Sequence, residues 1–148
     1  MSIWRQAIVR LSARPRGIHL VTRELVGAVD LGGIEVGMLQ CFLRHTSAAL
    51  ALNEDASPEV RTDLAAWLDR AAPDGAPYFA HTLEGPDDMA AHVKATLVGA
   101  VVMVPVADGR ALLGAWQGIY LCEFRDAAGP REVVVTAWGQ SAPGPASA

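Results

Sequence analysis

Residues 38–54 read MLQCFLRHTSAALALNE, two apolar segments separated by the polar triplet His45-Thr46-Ser47. Met38 to Arg44 and Ala48 to Leu52 have the length and the apolar composition of buried β-strands. The triplet therefore marks a break between two predicted strands. It is the first place in the chain where polar side chains stand where apolar ones are expected.

Two helices are predicted after this stretch. Ser57 is expected to cap the first, with Pro58 at its first position and an end near Pro73. Its apolar face is formed by Val60, Leu64, Trp67, Leu68 and Ala71. The second helix begins at Asp87-Asp88 and ends at Gly99, and His92 lies at the edge of its apolar stripe.

The remainder of the chain is strand-like. Alternation over residues 3–11 predicts the first strand. Further strands are predicted at 17–21, 101–106, 112–113, 116–124 and 132–137, with a short helix over 22–29. The predicted class is α+β: a largely antiparallel sheet or sandwich with two to three helices. Residues 1–140 form a single domain, and residues 141–148 (SAPGPASA) are expected to be a disordered tail.

Composition excludes several classes of protein. Of the 148 residues, 51% are hydrophobic and 19% charged, which is too apolar for an intrinsically disordered chain. The net charge of −4 is unlike the basic surface of nucleic-acid-binding proteins. We expect no membrane partner, because no apolar run reaches the roughly 18–20 residues of a spanning helix. Cys41 and Cys122 lie in apolar segments, which indicates buried thiols and a cytoplasmic location.

Three of the four histidines stand in contexts that suggest a metal site. His45 interrupts the strand segment, His81 precedes an acidic loop, and His92 lies one turn into the second helix. Three imidazoles with one open position are typical of catalytic zinc. The alternative is that each is a surface or hydrogen-bonded histidine. Carboxylates that could orient the rings or act as a base are Glu54, Glu84, Asp87, Asp88 and Glu123.

Three ordered motifs resemble the YjbQ-like family. The first is HTSAAL at residues 45–50 with Asn53-Glu54. The second joins His81, EGPDDM and AHVK, and the third is WQGIYL at 116–121 with Glu123. The resemblance implies an α+β homotrimer with a divalent metal, such as zinc, or an anion at its histidines. It also implies secondary thiamine-phosphate synthase activity, a transferase reaction that joins two small phosphorylated metabolites, hydroxymethylpyrimidine diphosphate and thiazole phosphate.

Site residues carried over from the resemblance fall into three groups. They are the metal ligands His45, His81 and His92; the catalytic residues Glu54, Glu123 and Gln117; and the substrate- or phosphate-binding residues Asn53, Thr46, Ser47, Lys94 and Arg131. The chain departs from the family pattern at Ala90, Ala115 and Phe124. Two other functions stay open: a metal-dependent hydrolase of a small ester or phosphate, and a non-catalytic trimer that binds an anionic metabolite.

Overall fold

The computed structural model describes residues 1–146, which form eight strands and three helices. In chain order these are β1 (Ser2–Leu11), β2 (Gly17–Leu20), α1 (Thr22–Val26), β3 (Ile34–Leu43), β4 (Ala48–Glu54), α2 (Pro58–Ala71), α3 (Asp88–Val98), β5 (Val101–Ala107), β6 (Arg110–Ala111), β7 (Gln117–Glu123) and β8 (Arg131–Ser141). The strands make two antiparallel sheets, so the predicted α+β class is confirmed.

The main core lies between the two sheets. The larger sheet has the order β1-β8-β3-β5-β6 and the smaller has the order β2-β7-β4. Leu39, Val104 and Val135 of the larger sheet meet Leu50 and Leu121 of the smaller one, and all five are almost fully buried. Alternate residues along each strand supply this layer, as strand geometry requires.

A second apolar layer lies on the opposite face of the smaller sheet. Ala49, Tyr120 and Cys122 point away from the main core and pack with Leu68 of α2 and Ala91 of α3. Strands β4 and β7 are therefore buried on both faces, which explains why they read as continuous apolar runs. The order of layers is helices, smaller sheet, larger sheet, and the outer face of the larger sheet has no covering layer within residues 1–146.

Several local expectations differ from the structure. Helix α1 stops at Val26, and the strand expected at 112–113 forms two residues earlier as β6. Ser57 stands at the N-cap of α2, but its hydroxyl donates to Glu59 rather than accepting from the helix backbone. Residues 142–146 are exposed and adopt neither helix nor strand, and the rest of the predicted tail, 147–148, lies outside the described residues.

The two cysteines are buried, as their apolar neighbours in the sequence predict. Cys41 and Cys122 are free and buried, and burial raises their pKa values to about 11 and about 12, so both remain neutral thiols. Among the described residues, no helix is long and apolar enough to cross a bilayer. A cytoplasmic location stays a prediction.

Candidate functional site

Four side chains with metal-ligating atoms converge where the loop of residues 72–87 enters α3. One ligand atom from each of His81, Glu84, Asp88 and His92 lies within 4.8 Å of the others. His81 and Glu84 belong to the loop, whereas Asp88 and His92 are spaced four residues apart on α3. That spacing puts the last two on one helix face. We call these four residues the histidine–carboxylate cluster.

Asp88 is the centre of the histidine–carboxylate cluster. Its Oδ2 lies 2.6 Å from His81 Nε2 and 3.0 Å from His92 Nε2. Its Oδ1 accepts a 2.5 Å hydrogen bond from the Arg125 guanidinium, which also donates to Asp87. The Asp88 side chain is almost fully buried, so Arg125 compensates a charge that would otherwise be costly.

The ring of His92 is fixed in one tautomer by the polar triplet. Its Nδ1 lies 2.9 Å from the carbonyl oxygen of Thr46, and a carbonyl can only accept, so Nδ1 carries a proton. In the neutral ring Nε2 then presents its lone pair toward Asp88. Metal-ligating histidines are typically oriented in this way, with the second nitrogen donating to a carbonyl.

The surroundings of Asp88 keep its carboxylate ionised. Burial opposes ionisation of Asp88, but the hydrogen bond with His81 and the charges of His92 and Arg125 outweigh it and lower the pKa of Asp88 to about 2. The hydrogen bond to Asp88 raises the pKa of His81, despite partial desolvation. A carboxylate that stays ionised between two imidazoles attracts either a proton or a metal ion.

His45 lies outside the cluster. Its Nε2 accepts a 2.8 Å hydrogen bond from the backbone N–H of Glu132, so that lone pair is already occupied. In the neutral ring the proton then sits on Nδ1, which leaves no free ligand atom. Burial, followed by the charge of Arg131, lowers the pKa of His45 and keeps it neutral. The predicted three-histidine ligand set is therefore not assembled; Asp88 takes the third place.

His45 and His92 instead share an open groove of about 530 Å³ beside the cluster. Its other lining residues are small or hydroxylated: Thr46, Ala48, Ala95, Thr96, Gly99 and Ala100. Gly99 has a φ of +105°, which favours glycine, and a Cβ there would meet nothing within 4 Å. The groove gives a small substrate access to the His92 side of the cluster.

Beneath this groove, Glu123 and Arg131 form a buried ion pair. Arg131 donates to both carboxylate oxygens of Glu123, at 2.7 and 2.6 Å, and to the hydroxyl of Ser47 at 3.0 Å. Glu123 is 1% exposed and Arg131 is 7% exposed. These three predicted site residues are thus brought together, but they satisfy one another and hold the start of β4 in place.

Other predicted site residues lie elsewhere. Lys94 is fully buried on α3 and donates to Asp69 at 2.6 Å. Asn53, Glu54 and Gln117 lie at the far end of the β4–β7 pair, where Glu54 faces Gln117. The other end pairs Ala48 with Glu123. Six residue steps separate the two ends, about 20 Å along an extended strand.

The sequence predicted Glu84 and Asp88 only as carboxylates around the histidines, and it did not link Arg125 to them. The available signal was the D-x-x-x-H spacing of Asp88 and His92, which places a carboxylate and an imidazole on one helix face. No comparable signal links Arg125 to this site, because it reaches Asp88 from the end of β7 only through the fold.

Comparison with known proteins gives consistent matches along the chain. The family profile described as "UPF0047 protein YjbQ-like" matches residues 7–140. A UPF0047 protein YjbQ of Salmonella typhimurium is 42% identical over 139 residues, covering 93% of this chain and 100% of that protein. UPF0047 protein YugU of Bacillus subtilis is 40% identical over 111 residues, covering 75% and 80%.

Solved structures share the fold. A YbjQ-like protein of unknown function from Sulfolobus solfataricus superposes with a TM-score of 0.84 at 23% identity, covering 95% of this chain and 100% of that chain. A conserved hypothetical protein from Thermus thermophilus has a TM-score of 0.75 at 34% identity, covering 86% and 97%.

These findings correct the expected activity. The two solved structures are described as of unknown function or hypothetical, the sequence relatives are described only as UPF0047 proteins, and none of these descriptions names a reaction. The prediction of thiamine-phosphate synthase, and of a transferase generally, is therefore wrong as an assignment. The structure agrees, because Lys94 and Arg131, the cations expected to hold a diphosphate, are both neutralised by carboxylates.

Proposed function

This chain belongs to the UPF0047 family of YjbQ-like proteins, and from that premise we propose that it is a zinc-dependent hydrolase of small esters or phosphate esters. Because the family carries no named reaction, the proposal rests on one observation. The Nε2 atom of His92, whose ring is oriented by the Thr46 carbonyl, converges with His81 and an ionised Asp88 next to an open groove.

The donor set fits a divalent ion that accepts nitrogen and oxygen ligands. Two imidazoles and one carboxylate are a common protein contribution to catalytic zinc, which leaves a position for water or substrate. His81, Asp88 and His92 would hold the ion, and Arg125 would keep Asp88 oriented through its other oxygen. When bound, zinc supplies Lewis acidity toward an ester oxygen.

The remaining steps fall to side chains around the cluster. Glu84 is exposed at the rim, with Oε2 3.5 Å from His81 Nε2, so it can accept a proton from an attacking water. Thr46 and Thr96 line the groove, where their hydroxyl groups can position a polar substrate. The small residues Ala48, Ala95 and Gly99 leave room for it.

Turnover of 4-nitrophenyl acetate and of 4-nitrophenyl phosphate by zinc-loaded protein tests this function. We expect hydrolysis of at least one ester, lost on chelation and lowered by about 10²-fold in Glu84→Gln, since a positioned base contributes at least that much. Glu59→Gln, on the exposed first turn of α2, is the matched control and should keep full activity.

Two results would count against the hydrolase. Zinc-bound protein without turnover on either ester would favour a metabolite-binding protein instead. Unchanged turnover in Glu84→Gln would remove Glu84 from its assigned role.

We also propose that the protein is a homotrimer, with contacts through the outer face of the larger sheet. Cross-strand register aligns apolar side chains in two rows on this face: Trp4, Trp138, Met38 and Pro105, then Ile8, Val134, Phe42 and Val101. Trp4 and Trp138 stack with centroids 5.4 Å apart, yet Trp4 is 67% exposed. The water-facing side of an antiparallel sheet normally carries polar residues, whereas these two rows of the outer face are apolar.

The size of the outer face matches a stable interface. Four strands of about ten residues span roughly 600 Å² before side-chain relief is counted, which approaches the ~800 Å² per partner of a typical interface. Light scattering after size exclusion should give a trimer for the native protein and a smaller species for Ile8→Glu. Leu83→Glu, at a fully exposed position in the 72–87 loop, should stay trimeric. A monomeric native protein would contradict the proposal.

A further inference from the structure

A second cavity lies on the opposite side of α3 from the histidine groove. It opens between the two helices, with Leu64 and Trp67 of α2 on one wall, Leu97 of α3 on the other, and Ala51, Tyr120 and Cys122 as the floor. Its volume is about 300 Å³. We call it the interhelical pocket.

The chemistry of the interhelical pocket is almost entirely apolar. None of the described residues that line it carries a charged side chain. Asn53 closes one end; its Oδ1 accepts from the backbone N–H of Glu54, which leaves its amide group as a donor. The Tyr120 hydroxyl donates to the carbonyl of Glu54, the residue after Asn53, so the polar groups lie at the same end of the pocket.

The size of the interhelical pocket discriminates between occupants. A single helical turn, about 5.4 Å long and 10 Å across, needs roughly 400 Å³, more than the pocket offers. A cavity of about 150 Å³ accommodates benzene, so one of about 300 Å³ fits two fused rings. Trp67 and Leu97, both about 60% exposed, stand at the rim where they can close over such a molecule.

We propose that the interhelical pocket binds a neutral two-ring aromatic molecule whose single hydroxyl or carbonyl group faces Asn53 and Tyr120. This site is independent of the proposed hydrolase, because α3 separates it from His92 and the histidine groove. Its floor is open because β4 carries alanine at position 51, where a larger side chain would fill the cavity.

Calorimetric titration of the full chain with 2-naphthol tests the proposal. We expect saturable binding and NMR shifts of the backbone amides of Ala51, Tyr120 and Cys122, with no shift at His92. Ala51→Phe fills the floor and should weaken binding by about tenfold or more, since a few buried carbons are worth that much in a pocket. Ala66→Phe adds the same ring to an exposed position of α2 and should bind as the native protein does.

If Ala51→Phe does not fold, Ala51→Val narrows the same floor and should weaken binding by a smaller factor. Absence of saturable binding to the native protein overturns the proposal. This includes the case in which binding is absent because side chains of a second copy of the chain fill the pocket. Equal affinity in the Ala51 and Ala66 variants, or amide shifts confined to the histidine groove, also overturns it.

Discussion

Replacing His92 by alanine is expected to abolish zinc binding, whereas replacing His45 by alanine leaves it intact. His92 Nε2 faces the Asp88 carboxylate at 3.0 Å inside the cluster, whereas the Nε2 of His45 accepts from the Glu132 backbone N–H outside it. Metal analysis of untagged, dialysed protein should give about one zinc per chain for the native protein and for His45→Ala. It should give none for His92→Ala.

The comparison separates two ligand sets. Loss of zinc in both variants would indicate that His45, His81 and His92 are the zinc ligands, and that Asp88 is not the third ligand. His19→Ala is the control for losing an imidazole, because His19 Nε2 lies 2.7 Å from the Pro15 carbonyl oxygen and the residue is not part of the cluster. A native protein without zinc after incubation and dialysis would remove the metal mechanism altogether.

Arg131→Met is expected to lower the free energy of unfolding by about 3–5 kcal/mol, because it leaves the buried Glu123 carboxylate without its partner. Urea unfolding monitored by circular dichroism measures the loss. The double variant Arg131→Met with Glu123→Met should recover most of it, since removing both charges also removes the cost of burying them.

The control is an arginine–glutamate ion pair of similar length at the surface. Arg14 donates to Glu24 at 2.8 Å, but Glu24 is 45% exposed. Arg14→Met should therefore cost less than about 1 kcal/mol. An equal loss of stability in Arg14→Met and Arg131→Met would show that the buried pair contributes no more than the surface pair. Failure of the double variant to recover stability would attribute the loss to packing rather than to an unpaired charge.

Local patterns were enough to predict most of the fold. Strand alternation over β1 and the apolar stripes of α2 and α3 depend only on neighbouring residues, so they are visible in one sequence. The pairing of β1 with β8 at the opposite end of the chain has no such signal. The start of β3 at Ile34 was missed because Gly37 interrupts the pattern; its Cβ would lie 2.1 Å from the Trp138 carbonyl, so the close strand approach requires glycine.

The site was predictable only in part, for geometric reasons. Lys94 follows His92 by two residues, about 200° around the helix, so the two side chains could have been assigned to opposite faces from sequence alone. The separation of Glu54 and Gln117 from the histidines depends on strand register, which sequence does not reveal. The tautomer of His45 depends on a backbone group 87 residues away.

The residues of the histidine–carboxylate cluster are not all preorganised to the same degree, because some belong to a packed helix and others to the loop of residues 72–87. Asp88 and His92 belong to a helix whose Ala90 and Ala91 are fully buried, whereas His81 is contributed by the loop. The affinity for the proposed ion therefore contains the entropy of ordering that loop. Gly75, with a φ of +64° and its N–H donating to the Pro86 carbonyl, helps set this cost although it contacts no ligand. Ion affinity in this protein can consequently be tuned by substitutions in the loop that leave every coordinating atom unchanged.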